Sequence, residues 1–159
     1  MNYCRYLLLL LLSLSIGCSV DSRPADLPPL FPCTVSVTQG GAPLDDANVE
    51  LVSTSPDTQK YRPSATTDAN GIAVIMTYGF PGAPAGTYKI LVRKMIEDDI
   101  VYGTDEYGEQ RVASSSRYQV VGDRYFNAEA TPHEIEVTPR GRTQITIDVG
   151  EPVRVRVRE

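Results

Sequence analysis

From residue 33 onward, apolar and polar positions alternate with a period of two, and Gly, Pro, Asn and Asp break the alternation at short intervals. Cys33, Val35 and Val37 share one parity against Thr34, Ser36 and Thr38, which predicts a strand with one buried face, closed by Gly40-Gly41. Ala47, Val49 and Leu51 set against Asn48 and Glu50 predict a second strand, and residues 53–62 a polar loop. Asn70-Gly71 reads as a hairpin turn, because both residues tolerate positive φ. Residues 72–77, apolar on both parities, read as a strand central in its sheet. Tyr88, Ile90 and Val92 against Lys89 and Arg93 give the cleanest alternation in the chain. Ile135 and Val137, then Ile145, Ile147 and Val149 across Pro139-Arg140-Gly141, predict a closing hairpin. Val153, Val155 and Val157 alternate with Arg154, Arg156 and Arg158, an edge strand with a cationic row. No segment repeats at 3.6, so the fold class predicted is all-β, a sandwich of about seven strands.

Two stretches stand outside this rhythm. Residues 96–127 are acidic and tyrosine-rich and read as a loop too long for a compact domain, which points to function. At the other end, Arg5 precedes an apolar run over residues 7–12 that continues through Leu14 and Ile16. That run is shorter than the ~20 residues of a membrane span, and Asp21, Arg23 and Pro24 follow it at once. Leu14-Ser15-Ile16-Gly17-Cys18 resembles the bacterial lipoprotein signal, in which a small residue precedes an acylated cysteine. The resemblance implies cleavage after residue 17, lipidation of Cys18 and membrane attachment through lipid. Ser19 after that cysteine is similar to the pattern that permits outer-membrane sorting, so a bacterial envelope, outer-membrane location is expected. Residues 18–32, with Pro24, Pro28, Pro29 and Pro32, read as an extended tether, and residues 33–159 as the domain.

Composition narrows the chemistry. The chain has 159 residues, a formal charge of −5, 3 Cys, 1 His and no Trp. Net negative charge disfavours nucleic acid as a partner. A single imidazole excludes sites needing two, and the cysteines suffice for neither a Cys-rich metal site nor a disulfide framework. Cys33, on the apolar parity of its strand, reads as a buried small hydrophobe, and His133, sharing parity with Ile135, as a residue at the rim of the core.

Gly41-Ala42-Pro43-Leu44-Asp45-Asp46-Ala47-Asn48-Val49-Glu50-Leu51, then Thr67-Asp68-Ala69-Asn70-Gly71-Ile72-Ala73, then Gly86-Thr87-Tyr88-Lys89-Ile90 resemble the carboxypeptidase regulatory-like family. The resemblance covers residues 33–94 and extends to lipoprotein members of the family through the segment 125–149. It implies a Greek-key, transthyretin-like sandwich and an accessory, binding or structural role without catalysis. Enzymes sharing this sandwich carry more than one histidine, which this chain lacks. Related stalk modules join Lys to Asn through an isopeptide bond in a dry interior, but Lys89 and Asn48 both fall on the polar parity of their strands.

Three groups remain as candidate sites. Asp98, Asp99, Asp105, Glu106 and Glu109 offer oxygen ligands for Ca²⁺, or are simply a solvated acidic loop. Tyr102 and Tyr107 in the same loop are placed to stack on a glycan or an envelope protein, which makes residues 96–112 the recognition segment if there is one. Arg154, Arg156 and Arg158 present guanidinium groups that bind carboxylates or phosphates of an anionic partner, or pair with local acids.

Overall fold

A computed structural model describes residues 23–157. The strands in chain order are β1 (Leu30–Phe31), β2 (Cys33–Gln39), β3 (Ala42–Pro43), β4 (Asn48–Ser53), β5 (Ser64–Thr66), β6 (Ile72–Val74), β7 (Met76–Thr77) and β8 (Phe80–Pro81). They continue with β9 (Ala83–Pro84), β10 (Gly86–Arg93), β11 (Met95–Thr104), β12 (Gln110–Gln119), β13 (Glu134–Val137), β14 (Thr143–Asp148) and β15 (Val155–Arg156). A 3-10 turn at Asp123–Phe126 is the only helical element among the described residues. One sheet runs β13-β10-β4-β5-β7-β8; the other is centred on β2, flanked by β14 on one side and by β3 and β6 on the other. β14 lies parallel to β2, and every other pairing among the described residues is antiparallel.

The period-two reading becomes a sandwich because each sheet turns its apolar parity to the other. Val35, Val37, Ala73 and Ile147 from one sheet join Val49, Leu51, Tyr88, Ile90, Val92 and Val137 from the other in one buried cluster. Burying side chains of this size contributes roughly 1.5–3 kcal/mol each. Tyr88 also satisfies its hydroxyl, which donates to the Pro84 carbonyl at 2.9 Å. Thr67 does the same for backbone in the interior: its Oγ1 accepts from the Ala47 N–H at 2.8 Å and donates to the Leu44 carbonyl at 2.7 Å.

The strands connect differently from the sequence expectation in several places. The turn at Asn70-Gly71 is not a hairpin, because β5 belongs to one sheet and β6 to the other. Gly71 has φ +74°, but Asn70 does not enter the positive region; Asp68 Oδ1 instead accepts from the Asn70 and Ile72 amides, both at 2.9 Å. A Cβ on Gly71 would lie 2.4 Å from the Val37 carbonyl oxygen, so the turn leading into β6 can lie this close to the β2 backbone of its own sheet only with glycine there. Residues 72–77 likewise do not form one central strand: β6 pairs with β2 alone, while β7 lies between β5 and β8 in the other sheet. The chain changes partner at Ile75, whose N–H bonds to Cys33 O and whose carbonyl accepts from Gly82, so β6 joins one sheet and β7 the other. Ala73 and Ile75 point inward, while Ile72, Val74 and Met76 are exposed. The predicted closing hairpin is a crossover too: β13 pairs with β10, and β14 with β2.

Two larger differences bear on the site. The proline-rich stretch is docked before residue 33: Leu27 is buried, Tyr61 Oη donates to Asp26 O at 2.7 Å, and β1 pairs with β9. Residues 96–112 are not a loop. They form most of a hairpin of two ten-residue strands, β11 and β12, extended by β15 at one edge.

Candidate functional site

Among the described residues the core cluster draws no side chain from β11 or β12, and the register of the hairpin explains how it holds together. At its base Met95, Ile96, Glu97 and Asp98 face Gln119, Tyr118, Arg117 and Ser116. A bulge follows between Asp98 and Val101, where Asp99 adopts φ +53° and its N–H donates to Asp98 Oδ1 at 2.9 Å. Bulges twist a strand and re-aim what lies beyond. Beyond this one, Val101 faces Ser114 and Tyr102 faces Val112.

The acidic residues are thereby split into two groups separated by roughly 20 Å of extended chain. Asp98 and Asp99 sit at the bulge. Arg154 reaches them at 2.9 and 3.4 Å, its guanidinium lies 4.2 Å from the Tyr118 ring centroid, and the Tyr118 hydroxyl donates to Asp99 Oδ2. Asp105 governs the turn instead: Oδ1 accepts from the amides of Tyr107 and Glu109 at 3.0 and 2.9 Å, and Oδ2 pairs with Arg111 Nε at 2.6 Å. Glu106 and Glu109 stand exposed beside it. Among the described residues, no group of three or more His, Cys, Asp or Glu is placed to hold a metal ion.

The cationic row divides as well. Arg154 is committed to Asp98, Asp99 and Tyr118, where it fastens the C-terminal strand to the bulge. Arg156 is exposed in β15, opposite Tyr118 in register. Arg158 and Cys18, the residue at which lipidation is expected, lie outside the described residues.

Tyr102 and Tyr107 are 62% and 80% exposed, and they are not alone. Ile100, Val101 and Val112 are exposed in the same distal half of the hairpin. For Ile100 and Val101 the sequence signal is the uncharged run over residues 100–104, bounded by Asp99 and Asp105; Val112 lies outside that run. A second exposed surface lies on the outer side of the β2 sheet, a depression of ≈ 390 Å³ lined by Thr34, Ser36, Ile72, Arg142, Gln144 and Thr146.

Cys33, His133 and Lys89 are engaged within the sandwich. Cys33 is buried, and burial pushes its thiol up to about 11, the opposite of what a nucleophile needs. His133 stacks on Tyr125 with ring centroids 5.6 Å apart, and its Nε2 lies 3.1 Å from Asp148 O. The Asp148 carboxylate is held below the usual range by the Thr38 hydroxyl and the amides of Gly150 and Gly41. Lys89 pairs with Glu134 at 2.8 Å on the outer face, while Asn48 lies opposite Arg93 and Thr66.

In comparison with known proteins, no family model, no curated protein and no solved structure matches the chain.

Proposed function

We propose that this chain is a non-catalytic envelope module, lipid-anchored at Cys18, in which the sandwich is the support and the distal half of hairpin β11–β12 is the interaction element. The observation that carries this reading is the concentration of exposed apolar side chains, Ile100, Val101, Tyr102, Tyr107 and Val112, on an element that builds no core. Aromatic residues in this setting supply contact area at low conformational cost. The engagement of His133 with Tyr125 and Asp148, and the raised thiol of Cys33, favour support over catalysis.

A photo-cross-linking residue at Tyr107 of the full chain in bacterial cells tests the interaction element, with the same residue at Thr146 on the outer face as the comparison. Adducts from position 107 and none from 146 support the hairpin. Adducts only from 146, or from neither, refute it. The anchor is tested separately: labelled palmitate should enter the full chain and not its Cys18→Ser variant.

A further inference from the structure

The hairpin's two edges differ along their length. β11 pairs with β12 alone, so its outer edge has no strand partner among the described residues. β12 is covered by β15 only at Tyr118 and Gln119, with one more bond from Val157 N to Arg117 O, leaving the edge of residues 110–116 without a strand partner. At the base both edges are blunted by the devices that prevent sheet extension: Glu97, Asp98, Asp99 and the bulge on one side, β15 on the other. In the distal half those devices stop. Residues 100–104 and 112–116 contain no charged side chain, and Ile100, Val101, Tyr102 and Val112 are exposed there.

The charges flanking these open stretches choose among the ways they can pair. Residues 100–104 lie between Asp98 and Asp99 on one side and Asp105 and Glu106 on the other; residues 112–116 lie between Arg111 and Arg117. An antiparallel β11-to-β11 contact between two copies brings acid against acid at both ends. A β12-to-β12 contact brings arginine against arginine. Like charges facing each other across strands are destabilising. A contact of β11 with β12 of a second copy sets acids against arginines, as happens within one chain, where Glu97 faces Arg117 and Asp105 pairs with Arg111. Because β11 and β12 are antiparallel, a copy displaced sideways presents its β12 to β11 in that same sense.

We infer that a second copy of this chain is the partner of the hairpin: residues 100–104 of one copy pair with residues 112–116 of the next in a head-to-tail, open-ended contact. This inference rests on the hairpin's being the interaction element. The contact is heterologous, so each copy keeps one edge open and the assembly grows in a line. It is also short, which makes it weak in dilute solution and dependent on local density.

Trans disulfides test it. Two full-length chains with different tags are co-expressed, one carrying Tyr102→Cys and the other Val112→Cys, with the parental chain as background and a mild oxidant added to cells. Directly opposed residues have Cβ atoms within ~4.5–5.5 Å, near disulfide reach. A Ser114→Cys partner covers a two-residue slip in register. Maleimide labelling of each single variant, with Cys33 staying unlabelled, establishes that the sandwich is intact. The expected result is a mixed 102–112 or 102–114 product at least several-fold above either homotypic product, decreasing at high salt. Homotypic products in excess, or no product above background, overturn the inference. If photo-adducts from Tyr107 join a different protein while no mixed disulfide forms, self-assembly fails and the hairpin reading stands. Absence of both removes both.

Discussion

The sandwich and the hairpin are built from the same kind of strand but held by different forces. In β2, β4 and β10 every second side chain is buried against the opposite sheet, and polar groups that enter the interior, such as Thr67, arrive with their partners. In β11 and β12 only Ser116 and Gln119, near the base, are buried, and no large apolar side chain is. Backbone pairing, the Asp105 turn and the Arg154 contacts with Asp98, Asp99 and Tyr118 hold the shape, while large apolar residues face water. A body stabilised by burial tolerates little change, whereas a ribbon stabilised locally leaves its side chains available for a partner.

Leu51→Ala should show this contrast most strongly. Leu51 is fully buried, and its truncation is expected to cost about 2–5 kcal/mol, measured by denaturant unfolding. Next is Thr67→Val, which keeps the shape but strands the Ala47 N–H and the Leu44 carbonyl; a loss of about 1–3 kcal/mol is expected. A value near zero would mean that the interior tolerates unpaired backbone there.

Alkaline titration follows in size. Burial raises the Cys33 thiol from 9.0 to about 11 and the Tyr88 hydroxyl from 10.0 to about 12. Both groups are held neutral by the fold, so stability is full below pH 9 and falls as the unfolded chain alone ionises, first through the thiol window up to 11 and then through the tyrosine window up to 12. Denaturation midpoints across this range check the prediction, and Cys33→Ala should remove the first part of the decline. Smallest of all, Tyr102→Ala and Val112→Ala should change unfolding stability by no more than about 0.5 kcal/mol. A cost comparable to that of Leu51→Ala would place the hairpin within the core after all.

The body is readable because a parity rule needs only a buried face: Val35, Val49, Ile90 and Ile147 hold the apolar parity of their strands, and all four are buried. Connectivity was less readable. The partner switch at Ile75 and the crossover from β13 to β14 depend on which sheet receives a strand, and alternation is blind to that. The hairpin reads as a loop in sequence because Glu97, Asp98 and Asp99 interrupt the alternation, and the bulge after Asp98 shifts its register. Tyr102 and Tyr107 are exposed, as a surface position requires; Arg154 reads as equally available in sequence, and only the pairing of β15 with β12 brings Asp98 and Asp99 within its reach.

Amide hydrogen exchange on the full chain and on its Leu51→Ala variant compares the two regions most directly. The expected result is that amides in β2, β4 and β10 are the slowest and accelerate together in the variant, whereas amides of residues 100–104 and 112–116 exchange far faster in both proteins and at unchanged rates. Hairpin amides as slow as those of the sandwich, and accelerated equally by Leu51→Ala, would show one cooperative unit and contradict the division between support and interaction element.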